Sequence, residues 1–146
     1  MKKSLLSLSL SVWVAGVIPI TTFNAYAASE AECSIWLCLP TGFPSGCEQA
    51  KSAFKQRIKK LKSPLPSFSG CLLKDAPVRG SEMSANEGVA ALMPDGSYIH
   101  GTPCYRYWNA PLEKWIWTPK GCIDTRYYVE TLMDGQPYGE RFYYQR

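Results

Sequence analysis

From Cys47 onward the apolar residues Cys47, Ala50, Phe54, Ile58 and Leu61 recur at three- and four-residue steps, the repeat that gathers side chains on one face of an α-helix. Ser45-Gly-Cys-Glu48 has the S-x-x-E form of a capping box and predicts the helix start there. Pro64 predicts its end at about Lys62, because the residue before a proline is pushed out of the helical region. The two prolines of Ser63-Pro-Leu-Pro-Ser-Phe68 exclude helix and predict an extended return segment leading to Cys71. Upstream, Cys33-Ser-Ile-Trp-Leu-Cys38 is apolar but too brief to predict a helix, and Leu39 to Pro44 is rich in turn residues.

The pattern changes after residue 74. Asp75 to Glu87 is polar and aperiodic and reads as a loop. From Gly88 short apolar runs alternate with turn signals. Val89–Met93 and Tyr98–His100 flank Pro94-Asp95-Gly96, and Cys104–Trp108 and Lys114–Thr118 flank a loop holding Asn109 and Pro111. Arg126–Met133 and Gly139–Tyr144 flank Asp134-Gly135, although Ile123 to Leu132 also admits a helix. The whole predicts an α+β fold, a disulfide-pinned helical unit (28–74) followed by a small antiparallel sheet (88–146) in one domain.

The first residues read as an export signal. Lys2 and Lys3 open the chain, an apolar stretch runs from Leu5 to Ile20, and Ala25-Tyr26-Ala27 supplies a small-x-small cleavage site, so residues 1–27 are expected to be removed. The six cysteines, Cys33, Cys38, Cys47, Cys71, Cys104 and Cys122, all follow that site. An even number in an exported chain reads as three disulfides formed outside the cytoplasm. Zinc is the rival use, but paired C-x-x-C spacings are missing and the chain has a single histidine, so neither metal nor cofactor is expected. Cys104 and Cys122 border one hairpin and are expected to pair. The other four pair among themselves, and Cys33–Cys71 with Cys38–Cys47 is the preferred choice although spacing alone leaves the connectivity open.

Charge adds one feature. Six basic residues and one acid lie between Cys47 and Lys62, with Lys51, Lys55, Lys59 and Lys62 running down a face apart from the apolar one. That stripe reads as a solvated face, or as a docking surface for an acidic partner or anionic lipid headgroups; the export signal argues against nucleic acid. The second candidate surface is aromatic. Residues 104–146 hold eleven aromatics, among them Trp108, Trp115 and Trp117, which read mainly as core of the sheet with one or two left exposed for docking.

Catalytic options are few. His100 is the only histidine, and no nucleophile elbow, zinc-helix motif or phosphate loop accompanies it, so it reads as structural. Glu130, Asp134 and Glu140 near one hairpin offer carboxylate pairs for glycan hydrolysis, a weak signal in any domain this acidic.

The run Cys33-Ser-Ile-Trp-Leu-Cys-Leu-Pro-Thr-Gly-Phe-Pro-Ser-Gly-Cys47, the basic helix behind it and Pro64-Leu-Pro-Ser-Phe-Ser-Gly-Cys71 resemble the TraL/KikA-type conjugal transfer proteins, small secreted proteins encoded among transfer genes of Gram-negative conjugative plasmids. The resemblance covers residues 33–71. It implies a non-enzymatic periplasmic accessory of a conjugation or type IV secretion system that binds an envelope protein, and it brings no catalytic residues. The alternatives are a cell-wall protein, as a peptidoglycan binder or weak glycan hydrolase, and an exported toxin or effector.

Overall fold

A computed structural model describes residues 28–72 and 80–146. The expected export signal lies outside this range, as does most of the predicted loop's first half. The chain opens with two single helical turns, α1 (Glu30–Cys33) and α2 (Ile35–Cys38), followed by a 3₁₀ turn over Leu39–Thr41. The 33–38 segment is therefore helical rather than too short to be so. The signal lay just upstream: the Ser29 hydroxyl accepts from the Glu32 amide while the Glu32 carboxylate accepts from the Ser29 amide, a reciprocal cap on α1.

Helix α3 spans Glu48–Lys59 and buries Ala50, Phe54 and Ile58. Its start differs from the expected capping box. Cys47 occupies the cap position without a side-chain bond, and Glu48 instead reaches back to the Gly46 amide at 3.1 Å. Its end also comes early. Leu61 turns left-handed at φ 54° and the Lys62 amide bonds back to the Arg57 carbonyl at 3.0 Å, a Schellman-type closure. This rotates Leu61 off the apolar face, and it stands 84% exposed rather than in the core.

The segment after α3 does not pair as a strand. Its backbone bends through Pro64, Leu65 and Pro66, all buried, and ends in a 3₁₀ turn over Phe68–Cys71. Arg57 holds it in place. Its guanidinium donates to the Ser63 carbonyl (2.8 Å), the Leu65 carbonyl (3.1 Å) and the Glu32 carboxylate (2.8 Å), tying α1, α3 and the return segment together. The Trp36 indole N–H donates to the Pro66 carbonyl at 3.2 Å, so its one polar atom is satisfied inside the core.

The sheet contains β1 (Met83–Leu92), β2 (Tyr98–His100), β5 (Asp124–Met133), β6 (Gln136–Pro137) and β7 (Phe142–Tyr144), with β1 central beside β5. All pairings are antiparallel. The predicted loop 75–87 is thus strand from Met83 on. Ten consecutive pairs, Met83 with Met133 through Leu92 with Asp124, hold this polar run in the sheet, which its own residues did not announce. The same pairing settles 123–132 as strand rather than helix.

Residues alternate across the sheet. Met83, Ala85, Val129, Tyr127, Phe142 and Tyr144 face α3 and form one core with Ile35, Trp36, Leu39, Phe43, Ala50, Phe54 and Ile58. Phe54 sits at the centre, its ring 5.3–5.5 Å from those of Phe43, Phe142 and Tyr144, mostly edge to face. The three disulfides are Cys33–Cys71, Cys38–Cys47 and Cys104–Cys122, with Cα separations of 5.3, 5.9 and 5.8 Å. The first two pin the helical unit and the third closes a separate hairpin, so the fold is α+β with a stapled helical unit and a small antiparallel sheet. The staples fit an oxidising compartment. Among the described residues no helix is long and apolar enough to cross a membrane.

Candidate functional site

The hairpin closed by Cys104–Cys122 is exposed along both of its strands. Among the described residues β3 (Tyr105–Asn109) and β4 (Lys114–Thr118) pair only with each other, in a two-stranded sheet apart from the main one. A lone two-stranded ribbon is marginal in water, and its base shows what holds it. Cys104–Cys122 closes the base, with Cys122 buried. The Thr125 hydroxyl accepts from the Cys104 amide at 3.0 Å and donates to its carbonyl at 2.9 Å, and the Ile123 amide donates to the Leu92 carbonyl at 2.9 Å. At the tip, the Asn109 carboxamide accepts from the Leu112 amide at 3.1 Å and caps a 3₁₀ turn over Ala110–Leu112.

The register sorts the arm's side chains. Arg106 opposes Trp117 and Trp108 opposes Trp115, so these four share one face; Tyr105, Tyr107 and Ile116 lie on the other. The Trp108 and Trp115 rings meet at 5.7 Å and 67°, and the Arg106 guanidinium stands 5.2 Å from the Trp115 ring and 5.9 Å from that of Trp117. The ladder orders itself without burying itself. Trp108, Trp115 and Trp117 remain 50%, 57% and 44% exposed, and Tyr105 and Tyr107 52% and 44%. The expectation that most of these aromatics form core is corrected: the arm's aromatics stay outside, and Tyr127, Phe142 and Tyr144 supply the core. A one-stretch reading of the sequence missed this because both strands alternate in the same way whether or not a second layer covers them.

The basic stripe is also solvent-facing. Lys51, Lys55, Lys59 and Lys62 are exposed, and among the described residues no carboxylate lies within ion-pair distance of them. Their companion Arg57 is different in kind: it points inward, 13% exposed at its side chain, and holds the Glu32 carboxyl below its usual range, with the Ser29 amide adding to the effect.

His100 stands on the sheet face turned away from α3. Its Nε2 lies 2.7 Å from the Tyr143 hydroxyl and 2.9 Å from the Arg141 guanidinium, which also donates to Glu130 at 2.9 Å and sits 4.6 Å over the Tyr128 ring. Tyr98 stacks on Tyr143 at 3.8 Å and 5°. Gly88 makes room for this layer, since an added Cβ there would fall 2.4 Å from the Tyr128 ring. The network joins β2, β5 and the start of β7, and it spends Glu130 on Arg141. The other carboxylates considered for hydrolysis are spread: Asp134 accepts the Glu82 amide at 2.8 Å, while Glu140 is exposed beside Pro40. Among the described residues all cysteines are bonded and no group of three metal-ligating side chains forms. A cleft of about 770 Å³ lies between α1, α3 and the return segment, lined by Glu32, Gln56, Arg57 and Lys60 among others.

No family model, curated protein or solved structure matches the chain.

Proposed function

We propose that this is an exported, non-enzymatic accessory protein of a conjugative transfer or type IV secretion system, acting in the periplasm by binding an envelope partner through the β3–β4 arm. The arm itself carries this reading. Five aromatic side chains are exposed on an element that has a disulfide at its base, a cap at its tip and, among the described residues, no strand pairing beyond its own two strands. Large rigid rings exposed together are the composition of contact surfaces. The resemblance of residues 33–71 to TraL/KikA-type proteins and the charged, apolar, small-residue order of residues 1–27 support the periplasmic setting.

The test is complementation of transfer by variants that remain exported and oxidised. Replacing Trp108, Trp115 and Trp117 with serine is expected to abolish transfer while leaving the melting temperature close to wild type. His100→Ala and Glu130→Gln should reduce function only as far as they destabilise the sheet. A His100→Ala protein with unchanged melting and no function would overturn the non-enzymatic reading.

A further inference from the structure

We propose that the partner of the β3–β4 arm is the interfacial zone of an anionic lipid bilayer, into which the arm inserts as a stapled, non-spanning hairpin. This rests on the arm being the contact surface. Four observations narrow the occupant to lipid. The exposed rings lie on both faces, Trp108, Trp115 and Trp117 on one and Tyr105 and Tyr107 on the other, and Leu112 at the tip is also exposed. A flat protein surface covers one face of a ribbon; an immersing medium covers both at once.

The ring types are tryptophan and tyrosine, the two side chains whose apolar body and polar edge suit the headgroup region. Between Cys104 and Cys122 there are three basic residues, Arg106, Lys114 and Lys120, against the single acid Glu113, a net charge of +2 that favours anionic headgroups. The Arg106 guanidinium lies 5.2 and 5.9 Å from the centres of the Trp115 and Trp117 rings on the same face, so its stem can lie among apolar groups while its charge reaches the phosphates.

Depth follows from the backbone. Among the described residues β3 and β4 each have one edge with no neighbouring strand, so half of their amide and carbonyl groups need water or headgroups as partners. Such a ribbon cannot enter the hydrocarbon, where those groups would go unsatisfied. It lies at the boundary, five residues of strand reaching about 17 Å.

The mature, oxidised chain should be mixed with vesicles of phosphatidylglycerol and phosphatidylcholine at a 3:7 ratio, with pure phosphatidylcholine as control. Flotation and a blue shift of tryptophan emission are expected with the anionic vesicles. Trp36 is already buried, so the shift reports the arm. Trp115→Ser with Trp117→Ser should weaken vesicle binding by about tenfold or more. Lys114→Glu with Lys120→Glu keeps the aromatic ladder and should abolish the preference for anionic vesicles. Absence of flotation, or serine variants that bind as wild type does, overturns the inference. Retention on anionic vesicles that is lost only in Lys55→Glu with Lys59→Glu also overturns it, by moving lipid contact to α3. If the arm fails to bind vesicles yet its serine variants still lose transfer, the docking reading stands and only the lipid assignment falls.

Discussion

Leu61 and Gly139 show how single backbone positions close this fold. Leu61 holds a left-handed conformation at φ 54° with its side chain in solvent, so it bears the steric cost of that region and recovers little by packing. Leu61→Gly is expected to stabilise the protein by about 0.5–1 kcal/mol, read from urea unfolding midpoints. Gly139 is the opposite case. At φ 79° it lies against Pro40, and an added Cβ would fall 2.4–2.5 Å from the Pro40 Cβ and carbonyl oxygen. Gly139→Ala therefore breaks the contact in which the Glu140 amide donates to Pro40, and should cost about 1–3 kcal/mol. Neither residue is visible from pattern. The apolar repeat carried Leu61 into the core because periodicity does not say where a helix closes, and Gly139 meets Pro40 only once the sheet has packed on the helical unit.

The Glu32–Arg57 pair has a pH signature. The arginine and the Ser29 amide stabilise the charged carboxylate, so Glu32 in the folded protein titrates below its unfolded value of about 4.3. Its contribution is full above that value and is lost as pH falls through the folded pKa. The stability difference between wild type and Glu32→Gln should be constant near neutrality and shrink below about pH 4.3, measured by denaturation across pH. A constant difference down to pH 2 would contradict the pairing.

At the scale of elements, α3 was the most legible, since Ala50, Phe54 and Ile58 follow the helical repeat and do face the core. What they face was not legible. Phe54 meets Phe43 from the turn before α3 and Phe142 and Tyr144 from the far end of the chain. Phe54→Ala should cost about 3–5 kcal/mol and lower the melting temperature accordingly. Lys55→Glu and Lys59→Glu touch no packed atom and should each shift stability by only about 0.5 kcal/mol. The strands of the arm were correctly placed by their turn residues, and their alternation was correct too. Alternation predicts a covered face, and among the described residues no layer covers the rings of β3 and β4. Likewise the His100–Arg141–Glu130 network assembles across strands up to 41 residues apart, which only the register brings together.

For the whole molecule the disulfides set the terms. The core between the short helices and one sheet is modest, and each staple removes about 3–4 kcal/mol of unfolded-state freedom in the chain-entropy account, comparable with the total stability of a small domain. The division into two groups was legible because four cysteines cluster around one helix and two border one hairpin, whereas the pairing within the four was left open by their spacing. Reduction should unfold the protein or lower its melting temperature by tens of degrees; unchanged melting in reductant would contradict the account.

The claim that the arm is where this protein meets its partner is tested most directly by site-specific photo-crosslinking in living cells. A photoreactive amino acid would replace Trp117 on the arm or, in a parallel strain, Lys55 on the basic face of α3. The account predicts strong crosslinks from position 117 to an envelope component, with position 55 reacting weakly. Crosslinks from position 55 with none from 117 would contradict it and move the contact surface to the helix.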